Sequence, residues 1–130
     1  MAESHRTARI AERLRAELAR LLREEISDPR LVDVYISRTE VTGDLQRATV
    51  GVRLSPRPGR DAQDDAIARQ RALAGLRSAS GRLRSLVAQH LGLRRALQLS
   101  FVFDDGFDAQ ERIEKLLHEI AQEKKSEGSG

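Results

Sequence analysis

The chain has 130 residues and a mass of 14.5 kDa, enough for one domain with a core drawn from its 39% hydrophobic content and too short for two full domains. It contains no cysteine, which excludes disulfides, thiolate metal sites and thiol nucleophiles, and its apolar runs are too short to span a membrane. The formal net charge is only +3, with a pI near 9.9, so charge identifies a partner only if it is unevenly placed along the chain.

In chain order, Ile10, Leu14, Leu18, Leu21, Leu22 and Ile26 recur every three or four residues and predict an amphipathic helix over 5–26. Ser27-Asp28-Pro29 ends it, since a residue before proline is pushed out of the α region. Val32, Val34 and Ile36, then Thr39 and Val41, alternate with a phase shift midway, which predicts a strand with a bulge. Thr42-Gly43-Asp44 turns the chain. Ala48, Val50, Val52 and Leu54 alternate strictly, completing an antiparallel hairpin.

The basic loop 55–60, with two prolines, cannot extend the strand, and Asp61 or Asp64 after it can cap a helix. Ala66, Ala72, Leu73, Leu76, Ala79, Leu83, Leu86 and Val87 then share one helical side. Gly81 interrupts that stretch, and a glycine inside a helix costs about 1 kcal/mol relative to alanine. Two helices meeting at a kink or short turn at Ala79-Ser80-Gly81 are therefore expected, the second ending at Gly92. Leu97, Leu99, Phe101 and Phe103 alternate into a third strand. A turn at Asp104-Asp105-Gly106, a cap at Asp108 and a last amphipathic helix carrying Ile113, Leu116, Leu117 and Ile120 follow. The expected fold is α+β in the order α-β-β-α-α-β-α: a three-stranded sheet with helices over one face, a domain spanning 1–125 and a disordered tail at 126–130.

The charge is indeed uneven. Residues 104–130 carry four basic against eight acidic groups, whereas no acid stands between Asp65 and Asp104, a stretch holding Arg69, Arg71, Arg77, Arg82, Arg84, Arg94 and Arg95. A GC-rich genome would explain 20 arginines against three lysines, but not the missing acids. A surface for a polyanion is expected. His5, His90 and His118 belong to no ligand or nucleophile motif, and Asp104, Asp105 and Asp108 lack the register of a calcium loop. The glycines match no phosphate-loop spacing, and four aromatics are too few for a base-stacking sheet. No catalysis, no cofactor, no metal and no small-molecule substrate are expected. Residues 1–15 are charged where a signal peptide would be apolar, so a cytoplasmic protein with no membrane partner is expected.

The Ala79-Ser80-Gly81 junction, flanked by Arg77, Arg82 and Arg84, suits backbone phosphates, because helix N-terminal amides and a glycine admit close approach. The layout resembles a type II KH domain, and the junction resembles the Ala-x-Gly element of the ribosome-binding factor A family. The same family is resembled by Asp28-Pro29-Arg30-Leu31, Val41-Thr42-Gly43-Asp44-Leu45, Ala48-Thr49-Val50, Leu93-Arg94-Arg95 before Leu99, Phe101 and Asp104, and Arg112-Ile113 with Leu116-Leu117. Leu97 stands where that family usually has proline. The resemblance covers residues 5–120. It implies a non-catalytic bacterial factor that binds the immature small (30S) ribosomal subunit and its rRNA, assists maturation of the 16S rRNA 5′ end, and matters most in the cold; a monomer is expected. By the same resemblance Ala79, Ser80 and Gly81 lie at the RNA face. Charge adds Arg77, Arg82, Arg84, Arg94 and Arg95 as phosphate contacts. Two other readings are a helix-turn-helix DNA-binding regulator with its recognition helix at 83–91, and an adaptor that binds proteins through the last helix.

Overall fold

The first helix, α1 (Ala2–Glu24), buries Leu14, Leu18 and Leu21 completely, the stripe set by its three- and four-residue spacing. The computed structural model describes residues 2–128, with side chains for 5–105 and 112–125. Beyond α1, the Asp28 carboxylate accepts from the Arg30 backbone N–H at 2.9 Å and caps a short 3-10 turn, Pro29–Leu31. Val32 closes that turn and is 70% exposed, so the strand expected to include it begins later. The reason is local: proline's fixed φ and the Asp28 cap set one helical turn before the chain can extend.

Strands β1 (Val34–Val41) and β2 (Arg47–Leu54) pair antiparallel, with the register shift between Ile36 and Arg38 that the sequence pattern announced. In the connecting turn the residue with positive φ is Leu45, at 58°, and not Gly43. Thr42 holds the turn, its hydroxyl donating to Asp44 and accepting from the Arg47 backbone N–H. The loop before the next helix is tied down: Arg57 and Arg60 both bridge to Asp33.

Asp61 caps α2 (Ala62–Leu91), with Asp64 completing a reciprocal capping box, and Gly92 ends it in the left-handed conformation. The expected break at Ala79-Ser80-Gly81 does not occur: the helix runs through it without interruption. Ala72, Leu76, Ala79, Leu83 and Val87 form one stripe that stays in phase across Gly81. Burying Leu83 and Val87 on that stripe contributes about 1.5–3 kcal/mol each, which outweighs the roughly 1 kcal/mol cost of one helical glycine. A helix-turn-helix reading falls with the break, because its recognition helix would be the second half of α2, whose Leu83 and Val87 are core.

Strand β3 (Gln98–Phe103) adds parallel to β2, so the order is β1-β2-β3 and β2 is central. Ala48, Val50 and Val52 of β2 are accordingly almost fully buried. The turn expected at 104–106 is absent. α3 (Asp104–Gly128) starts directly after β3 with two aspartates in its first turn, where the helix dipole favours them. Asp108 thus lies inside α3 and not at its cap, and the tail expected from 126 is helical to Gly128, with 129 and 130 outside the described residues. α1 and α2 pack against the sheet, and α3 meets β2 and β3 as well. Ile113, Leu116, Leu117 and Ile120 on α3 are each 40–60% exposed. The fold class is as expected, with one helix fewer: α-β-β-α-β-α.

Candidate nucleic-acid interface

An uninterrupted α2 sorts the expected contact residues by helical geometry, at about 100° per residue. Arg77, Ser80, Gly81 and Arg84 fall on the flank toward β3. Ala79 and Arg82 fall on the flank toward α1 and the 3-10 turn. The contacts agree: Arg84 Nε donates to the Leu97 carbonyl at 3.2 Å, while Arg82 reaches Glu25, after α1, at 3.5 Å. Ala79, expected at the RNA face, is half-buried and packs against the core.

On the β3 flank, Leu73, Arg77 and Ser80 face Leu99, Ser100 and Phe101 across a cleft of about 280 Å³. β3 is an edge strand, so on the side away from β2 its N–H and C=O groups have no neighbouring strand. Such a cleft offers a guanidinium for phosphate, and hydroxyls and strand backbone for base edges. Beside it, Gly81 is exposed, and a Cβ there would meet nothing within 4 Å. Among the described residues the glycines with positive φ are Gly59 and Gly92, so neither backbone conformation nor packing demands glycine at 81. Arg94 and Arg95 follow the Gly92 cap, both exposed, on the loop into β3.

Tertiary structure also edits the arginine cluster. Arg69 is neutralised by Asp65 and Asp105 and lies 4.5 Å from the centre of the Phe103 ring. Arg82 has Glu25, and Arg71 lies near Asp28. Arg77, Arg94 and Arg95 are exposed and form no ion pair among the described residues. Arg84 meets a carbonyl instead of an acid. The fixed positive charge of the acid-free segment therefore concentrates at Arg77, Arg84, Arg94 and Arg95.

The other titratable groups serve structure. The Asp104 carboxylate takes Arg53 and Arg38 from two strands, forming an ion-pair node. Among the described residues no group of His, Asp or Glu could hold a metal ion. His90 Nδ1 lies 2.5 Å from Glu17, whose carboxyl is held below its usual range by Arg20 first and by His90 second. Two features escaped the sequence reading. One is the β3 wall of the cleft, since which side of a strand lies open depends on strand order. The other is an exposed row of Arg6, Arg9 and Arg13 on α1, concealed because residues 1–30 are nearly balanced in charge. Their spacing of three and four residues was the available signal.

Residues 6–117 match the family model described as ribosome-binding factor A. A ribosome-binding factor A from Sorangium cellulosum is 50% identical over 115 residues, covering 88% of each chain. The crystal structure of ribosome-binding factor A from Thermus thermophilus superposes with a TM-score of 0.60 at 23% identity, covering 75% of this chain and 94% of that one. A solution structure from Thermotoga maritima, assigned to the same factor, gives a TM-score of 0.55 at 29% identity over 72% of this chain and 86% of that one.

Proposed function

The chain belongs to the ribosome-binding factor A family, and on that footing we propose that it is an assembly factor of the small ribosomal subunit, binding the immature particle through its rRNA. The observation that carries this reading is the cleft between α2 and the open edge of β3, lined by Arg77, with Arg84 further along α2 and Arg94 and Arg95 exposed on the loop into β3, none of them ion-paired among the described residues. A phosphodiester backbone satisfies those guanidiniums, and Gly81 leaves the helix surface open for it.

The factor acts by binding and not by catalysis. It favours the rRNA conformation that offers phosphates in this arrangement, to the extent of its differential affinity for the two conformations. Assistance to 5′-end maturation of 16S rRNA then follows from holding the precursor in a form accessible to processing, and a cold requirement follows where alternative rRNA pairings melt slowly. No helix of the described residues is long and apolar enough to cross a membrane. The protein works as a monomer in the cytoplasm.

Co-sedimentation with immature and mature small subunits tests the proposal. Preferential binding to immature particles, weakening as salt rises, is expected, because each phosphate contact releases counterions. Equal or absent binding to both particles refutes it.

A further inference from the structure

The arginines of α1 fall into two sets. Arg15 pairs with Glu12, Arg20 with Glu17 and Glu24, and Arg23 with Glu24, each partner on the same helix. Arg6, Arg9 and Arg13 are exposed, share one helix face, and make no ion pair among the described residues. That face borders a cleft of about 650 Å³ between α1 and the C-terminal end of α2, where His5, Arg6, Arg9 and Arg13 stand over Ile10 and Leu91. Among the described residues no acidic side chain lines it.

At its far side Gly92 sits at a φ of 64°, and the N–H groups of Gly92 and Leu93 bond back to the carbonyls of Ala88 and Gln89. Two of the carbonyls in the last turn of α2 are thus satisfied by the chain itself. Arg94 and Arg95 come next in the chain, so exposed guanidiniums continue from this cleft along the loop that leads into β3. Concave walls of one charge focus the field and raise the local concentration of a polyanion.

We infer that the α1–α2 cleft is a second backbone-phosphate site, which holds a further single-stranded stretch of the RNA bound at the β3 flank. The inference rests on the rRNA-binding reading and adds a contact to it. The guanidiniums of Arg6, Arg9 and Arg13 take successive phosphates, while Ile10 and Leu91 give an apolar floor to the sugars and base faces. Gly92 keeps the approach free of a side chain.

The test uses the full chain, a 20-nucleotide single-stranded RNA of mixed sequence and immature small subunits. The double variant Arg9→Glu, Arg13→Glu removes the site. Arg15→Glu with Arg23→Glu makes the same charge change on the same helix outside the cleft, and Arg77→Glu reports on the β3 flank. Thermal melts show that each variant is folded, and single Gln substitutions at Arg9 and Arg13 replace the Glu pair should it unfold. The cleft variant is expected to bind RNA about tenfold more weakly or worse, with a salt slope shallower by about 1.4, since each lost single-strand phosphate contact removes about 0.7. The control pair should leave the slope unchanged. A folded cleft variant with wild-type affinity and slope, while Arg77→Glu weakens binding, overturns the second site and leaves the proposed function standing. Equal losses in the cleft and control variants overturn it as well, reducing the effect to net charge. If the wild-type chain binds neither RNA nor immature subunits, the proposed function fails and this site with it.

Discussion

Two glycines in one helix are predicted to respond oppositely to alanine. At Gly75 a Cβ would lie 3.0 Å from Leu31 Cδ2 and 3.3 Å from Arg30 Cβ, against a leucine that is itself buried. Leu31 is fixed by the 3-10 turn and cannot withdraw freely, so Gly75→Ala is expected to destabilise the fold by about 1–3 kcal/mol despite its better helix propensity. At Gly81 the space is open, and Gly81→Ala should stabilise by roughly 0.5–1 kcal/mol. Under the proposed function the same methyl group obstructs the RNA backbone, so affinity for immature subunits should fall in a protein that is more stable than wild type. Denaturant melts and sedimentation on both variants check these outcomes. Arg84 carries a further lesson at this scale: its bond to the Leu97 carbonyl means that charge reversal there is not silent for folding, as it would be for a solvated phosphate contact. Arg84→Met should cost about 1 kcal/mol in urea melts, whereas Arg77→Met should cost almost nothing.

Among the elements, α2 and α3 differ in what holds them. α2 is bound through a stripe in which Ala72, Leu76, Leu83 and Val87 are completely buried, so Leu83→Ala is expected to cost about 2–5 kcal/mol. The apolar residues of α3 that are described contribute little to the core, since Ile113, Leu116 and Leu117 are each more than half exposed. Among the described side chains, the link to the sheet lies in its first turn, where Asp104 takes Arg38 and Arg53 and Asp105 takes Arg69. Deleting residues 112–130 should therefore shift Tm by no more than about 4 °C. An Asp104→Asn change, which leaves the helix in place but weakens the node, should lower Tm by a comparable or larger amount. Calorimetry on the two variants decides between a helix held along its length and one held at its root.

For the whole molecule, acid is the expected weakness. The Arg30 guanidinium, then the Arg30 backbone N–H, hold the Asp28 carboxyl below its ordinary value of 3.8, and Arg20 holds Glu17 below 4.5. A group whose pKa is lower folded than unfolded stabilises fully above the unfolded value and loses that contribution as pH falls through the folded one. Tm should accordingly stay level from neutral pH to about 5 and then decline. Asp28→Asn should flatten part of that decline in a pH series of melts. A decline of unchanged steepness would show that the carboxylates responsible lie elsewhere.

Periodicity in the sequence determined the faces of α1, β1, β2 and β3, because side-chain direction in a helix or strand follows from residue spacing alone. The bulge near Ser37, a cap at Asp61 or Asp64 and the Gly92 stop were legible for the same local reason, and the structure makes Asp61 the cap. Continuity through Gly81 was not, since a local propensity of about 1 kcal/mol yields to burial of residues that only the assembled core brings together. The start of α3 at Asp104 likewise depended on arginines from two other strands. The acid-free run was visible as a count, and the fold places its arginines on α2 and the loop after it. Which arginines keep their charge was decided by Glu25, Asp28 and Asp105, acids distant in sequence that the fold returns to Arg82, Arg71 and Arg69. Charge sums along a chain, but it is neutralised in space, and so the sequence could mark the basic segment while only the tertiary structure could separate Arg77, Arg84, Arg94 and Arg95 from the rest.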